Sequence, residues 1–91
     1  MDIKLPDLTI QPGWTAESQL IKIAEELDEV REALANHDDV NAIRETLDLI
    51  QTGHTLLAII NAGYDGQLNM ARFLREHQNK LVAKGYMEVE I

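Results

Sequence analysis

Two acidic pairs at matched spacing carry the chemical potential of this chain: Glu26 with Glu29, inside the run Glu25-Glu26-Leu27-Asp28-Glu29, and Glu45 with Asp48. Each pair is spaced i,i+3, which on a helix sets both carboxylates on one side. The 15 residues between Glu29 and Glu45 suffice for the end of one helix, a turn and the start of the next. On two antiparallel helices the four carboxylates face one another and repel, and a divalent cation between them relieves that repulsion. The chain has no cysteine, and none of its histidines falls on either stripe, so the donors are all oxygen. Such a set selects a hard ion, Mg²⁺ first and Mn²⁺ second. The expected ligands are Glu26, Glu29, Glu45 and Asp48. An ion held this way keeps some waters and completes its shell with substrate phosphates, which lets an acidic protein hold a polyanion.

The elements that must position these groups follow from periodicity and capping. Residues 1–15 read as an irregular arm broken by Pro6 and Pro12-Gly13, with Trp14 closing it and Thr15 as the cap of the first helix. Helix one is expected over about 16–36, burying Leu20, Ile23, Leu27, Val30 and Leu34. Asp38 or Asp39 caps helix two, which runs to about Asn61 and stops before Gly63. Asp65 is expected to cap helix three, which continues to Lys84 with Gly85 just beyond it. Residues 86–91 alternate weakly and suggest a short strand or an extended tail packed on another subunit. The expected fold is all-α: a helical hairpin plus a third helix over residues 16–85, completed to a four-helix-type bundle by oligomerisation.

Helix two is where the acidic pattern gains weight. Val40, Ile43, Leu47, Ile50 and Leu57 form one apolar face, and Leu49, Leu56 and Ile60 a second. Between them Glu45, Asp48, Thr52 and Thr55 run as a narrow polar stripe. A helix apolar on two sides belongs at the centre of a bundle or between subunits. Acidic residues on helix one alone would read as an ordinary solvated face.

Composition narrows the function classes. At 91 residues the chain is one small domain with a marginal core and no disulfide to supplement it, which points to self-association. The 45% apolar content is ordinary for a folded protein and argues against disorder. A formal charge of −8 disfavours nucleic acid, whose binding rests on Lys and Arg at phosphates. The start Met1-Asp2-Ile3-Lys4-Leu5-Pro6 lacks the pattern of a signal peptide. The longest uncharged run, Leu49 to Tyr64, is too short and too polar to cross a bilayer. A cytoplasmic protein without a membrane partner is the expectation.

With the acidic motifs in view, the sequence resembles the MazG-like, all-α nucleoside triphosphate pyrophosphohydrolases. Their signature is E-E-x-x-E, a variable spacer and E-x-x-D, which stands here as Glu25-Glu26-Leu27-Asp28-Glu29 and Glu45-Thr46-Leu47-Asp48. The resemblance covers roughly residues 17–86, with Leu20-Ile21-Lys22-Ile23-Ala24 leading into the acidic run. It implies Mg²⁺-dependent hydrolysis of a nucleoside triphosphate, a dNTP or a noncanonical NTP, to monophosphate and pyrophosphate by a homodimer or homotetramer. By position it implies Glu26, Glu29, Glu45 and Asp48 as catalytic metal ligands. Lys84-Gly85 stands where many relatives have Arg-Gly, which keeps the charge and loses a bidentate fork.

Further residues take secondary roles under that reading. Glu25 would hydrogen-bond the attacking water or support a ligand, although its position on the wheel turns it outward within one subunit. Lys22, Asn79, Lys80 and Lys84 would contact substrate phosphates. Trp14 would stack on a base, or else seal the end of the bundle. His54, among Leu47, Ile50 and Leu57, reads as a packed core histidine. The competing reading from another class is a helical assembly or regulatory module whose carboxylates hold a structural cation or none.

Overall fold

A computed structural model describes residues 1–88 and contains three helices: α1 (Ala16–Ala35), α2 (Asp39–Ala62) and α3 (Met70–Ala83). The protein is all-α, with no strand among the described residues. Thr15 caps α1 through a full capping box. Its hydroxyl accepts from the Ser18 backbone N–H at 3.0 Å, while the Ser18 hydroxyl accepts from the Thr15 N–H at 2.9 Å. Asp38 caps α2 by accepting from the Asn41 N–H at 3.1 Å. The intervening turn places His37 at φ 56, so the chain reverses within three residues and α1 packs on α2.

The seam between α1 and α2 differs from the expected one. It runs through Gln19, Ile23, Glu26, Val30 and Ala33 on α1 and through Ala42, Glu45, Leu49, Thr52, Leu56 and Ile59 on α2, every one buried or half-buried. Both series step by alternating three and four residues, the repeat of a coiled-coil seam. Leu20 and Leu34, expected inside, are 56% and 54% exposed. Leu27 is exposed as well, and of the expected α1 core only Ile23 and Val30 lie half-buried. The reason is steric and electrostatic together. Small residues (Ala33, Ala42) and self-satisfied threonines let the helices approach along the polar stripe, leaving the broader apolar faces pointing outward.

The polar stripe is stabilised locally. Thr46, Thr52 and Thr55 donate their hydroxyls to the carbonyls of Ala42, Asp48 and Gln51, one turn back, at 2.7, 2.8 and 2.9 Å. Burying Thr52 and Thr55 therefore strands no donor.

The arm lies along α2. Gln51 Nε2 donates to the Pro6 carbonyl at 2.9 Å, and His54 Nε2 meets Asp7 Oδ1 at 2.6 Å. His54 is thus not a core histidine: it sits half-buried at the surface and holds the arm.

Helix α3 begins later than expected, capped by Asn69 rather than Asp65. Asp65 adopts φ 54 and Gly66 φ 71, a left-handed pair that turns the chain and cannot serve as an extended N-cap. Asn61 fixes this turn by accepting from the Gly66 N–H on its carbonyl (2.9 Å) and from the Leu68 N–H on its side chain (3.2 Å). Gly85, at φ 74, ends α3 as the pattern suggests, with the Tyr86 N–H reaching back to the Leu81 carbonyl at 2.9 Å. Among the described residues, α3 packs on neither α1 nor α2. Tyr86–Glu88 form no strand, and the rest of the expected strand or tail, 89–91, lies outside the described residues.

Candidate metal centre and its adjoining cavity

Glu26 and Glu45 occupy seam positions that in an ordinary helical hairpin would be apolar. With Glu29, one turn along α1, they bring one oxygen each to within 4.8 Å of one another. Glu26 is the most constrained of the three. Its side chain is only 12% exposed, and its Oε2 is buried with no hydrogen-bond partner among the described residues. Lys22 approaches the other oxygen, Oε1, at 4.0 Å.

The electrostatics follow from crowding like charges in a seam. Burial raises the pKa of Glu26 above the ordinary carboxylate value, and the neighbouring Glu29 and Asp48 add to the effect. Glu45 is pushed up to about 7, first by a hydrogen bond to Glu29, then by burial and by the charges of Glu29 and Glu26. A divalent cation reverses this balance, because it favours the ionised form of every carboxylate around it. The donor set is all oxygen, one buried Glu26 oxygen lacks a partner, and the cluster repels itself as it stands. These residues fit Mg²⁺ or Mn²⁺.

Asp48 lies outside the close trio, one turn further along α2 than Glu45. It lines a cavity of about 340 Å³ together with Glu26, Lys22, Trp14, Gln19, Gln51, Thr52, Thr55 and Leu8. That volume lies at the lower end of small-molecule sites. The cavity opens beside the acidic cluster, so that a ligand seated there reaches Glu26 with one end.

Sequence reasoning and structure meet unevenly at this site. Glu26, Glu29 and Glu45 converge, Asp48 and Lys22 flank them, and Trp14 walls the cavity. Glu25 is exposed and takes no part in the cluster. Asn79, Lys80 and Lys84 belong to α3 and its end, and α3 does not pack on the hairpin, so one chain does not bring them to the carboxylates. Gln19, Gln51, Thr52 and Thr55 were not singled out as ligand-binding residues. For Gln19 and Thr52 the signal was the seam repeat, in which polar residues stand where a hairpin normally places leucine; Gln51 and Thr55 flank that seam. Compared with known protein families, curated proteins and solved structures, the chain matches none of them.

Proposed function

We propose that this chain is a metal-dependent nucleoside triphosphate pyrophosphohydrolase of the MazG-like kind, cleaving a dNTP or a noncanonical NTP to monophosphate and pyrophosphate. The single observation that carries the reading is that Glu26, one of three converging carboxylates, has a buried Oε2 without a hydrogen-bond partner among the described residues. A buried carboxylate oxygen without a hydrogen bond is costly. A hard cation accounts for that cost, whereas a solvated acidic face would not create it.

Under this reading Glu26, Glu29 and Glu45 hold Mg²⁺, and Asp48 closes the set on the cavity side. The ion supplies charge neutralisation on the triphosphate and a lowered pKa for a water. Lys22, already 4.0 Å from Glu26, offers an ammonium to a phosphate oxygen. The cavity receives the nucleoside, which aligns the α-phosphorus with the carboxylates. Water attacks there and pyrophosphate leaves. The acidic chain remains suited to a nucleotide and unsuited to DNA or RNA.

The assembly belongs to the same proposal. Leu20, Leu27 and Leu34 on α1, with Ile43, Ile50 and Leu57 on α2, form an exposed apolar face that a homodimer or homotetramer would cover. Among the described residues no helix is long and apolar enough to cross a membrane, and a cytoplasmic location is the setting we infer. The exposed apolar face also favours a second reading, a non-catalytic assembly module.

The two readings separate in one assay. A panel of ribo- and deoxyribonucleoside triphosphates with Mg²⁺, scored for pyrophosphate, is expected to show turnover that Glu26→Gln abolishes. Absence of turnover on every nucleotide would overturn the enzymatic reading in favour of the assembly module.

A further inference from the structure

The cavity beside the carboxylates is built unevenly in its hydrogen-bonding capacity. Gln19 is only 4% exposed, yet its side-chain amide bonds to no described residue and is not sealed away as Glu26 Oε2 is. It therefore opens on the cavity it lines. Among the other polar walls, Lys22 holds its ammonium at the carboxylate end, 4.0 Å from Glu26, and the hydroxyl donors are committed. Gln51 gives one amino hydrogen to the Pro6 carbonyl, which fixes the amide and leaves Oε1 free. Thr52 and Thr55 spend their hydroxyl protons on helix carbonyls and keep only lone pairs. Asp48 and Glu26 are acceptors when ionised. The Gln19 carboxamide is thus the buried, unpartnered amide of a cavity whose Thr52, Thr55, Asp48 and Glu26 walls offer acceptors, with Leu8 and the Trp14 ring as apolar surface.

We propose that this cavity seats the base of the nucleotide and selects bases bearing an exocyclic amino group, with Gln19 as the residue that reads the base edge. The inference rests on the nucleotide reading above and adds the substrate class. Gln19 donates to a ring nitrogen and accepts from the amino group beside it, the two-point pairing a carboxamide makes with adenine. The second amino proton finds the acceptors of the facing wall. An oxo group at that position would meet lone pairs on Gln51, Thr52 and Thr55 and leave its own unpaired.

The test uses nucleosides, which carry no phosphate and need no metal, on the full chain. Trp14 is the only tryptophan, so its fluorescence reports the cavity directly. Cytidine against uridine and adenosine against inosine form pairs differing by amino for oxo. The amino member is expected to bind about tenfold more tightly in each. Gln19→Met, similar in length and suited to a helix, is expected to erase that preference while Mg²⁺-tripolyphosphate still binds as in wild type. Equal affinities within both pairs, no quenching by any nucleoside, or a preference that survives Gln19→Met would each overturn the proposal. The wild-type comparison stands even if the variant fails to fold. Base preference in a chain that hydrolyses no triphosphate would sustain the pocket and refute only the enzymatic reading; turnover without preference would do the reverse.

Discussion

Glu26 shows how one side chain can be wrong for its fold and right for a ligand. A seam position between two helices calls for an apolar residue, and a carboxylate there lacks a partner for one oxygen. Replacing Glu26 by Gln removes the repulsion from Glu29 and Asp48, so the metal-free protein is expected to melt a few degrees higher. Mg²⁺-dependent turnover should fall at least about a hundredfold. A variant that is less stable and fully active would sink both halves of this argument. Glu45 gives the matching pH dependence. Its pKa rises on folding from 4.5 to about 7, so the folded state binds the proton more tightly than the unfolded one. The stabilisation is complete below 4.5 and is lost as pH climbs through about 7. Metal-free melting temperature should therefore fall over that interval. Added Mg²⁺ should offset the fall increasingly as pH rises, because the ion competes with the same protons. Thermal melts across that range, with and without Mg²⁺, check both trends.

The helices themselves were legible in the sequence to the extent that local chemistry decides them. Thr15 and Asp38 act as caps because their side chains reach their own first turns, a relation within three residues. Thr15→Ala is expected to cost about 1 kcal/mol of stability and to loosen Trp14 beside it, seen as a lower denaturation midpoint and altered tryptophan emission. Asp65 misled because a good capping residue followed by glycine is equally a good left-handed turn, and Asn61 selects the turn from four residues away. The seam was misassigned for a different reason. Hydrophobic periodicity identifies which face is apolar, but not which face meets the neighbouring helix of the same chain. Here the small and polar stripe of Ala33, Ala42, Thr52 and Thr55 meets it, and the leucines of α1 wait for something else. The acidic pattern was legible in part: two i,i+3 pairs on consecutive helices joined by a short turn bring Glu26, Glu29 and Glu45 together, whereas Asp48, expected with them, falls outside the trio. The outward face makes its own prediction. Ile43→Asp, at an exposed site that strands no partner, is expected to leave the helical circular-dichroism signal intact. It should shift the chain to monomer in sedimentation, since a charge there opposes burial against a second copy.

At the scale of the molecule, charge is divided between parts that do not pack on each other among the described residues. The hairpin holds Glu25, Glu26, Asp28, Glu29, Glu32, Glu45 and Asp48, whereas α3 and its cap carry Arg72, Arg75, Lys80 and Lys84 against Glu76 alone. One side of α3 presents Phe73 and Leu74 to solvent. A basic amphipathic helix and an acidic hairpin with an uncovered apolar face are complementary, yet among the described residues the one does not pack on the other. Two copies satisfy both if each α3 seats on the other's hairpin, and the symmetry of a dimer closes the exchange. Lys80 and Lys84 would then reach phosphates held at the partner's carboxylates, which one chain by itself does not allow. Complementation tests this directly. A Glu26→Gln copy and a copy carrying Lys80→Ala with Lys84→Ala are each expected to be inactive as homodimers. Mixed in equal amounts and allowed to exchange, they should recover about a quarter of wild-type activity, because half of the dimers are mixed and each mixed dimer has one intact site of two. If α3 served its own hairpin, each mixed dimer would pair every defect with a whole half in the wrong place, and activity would stay at the level of the separate variants.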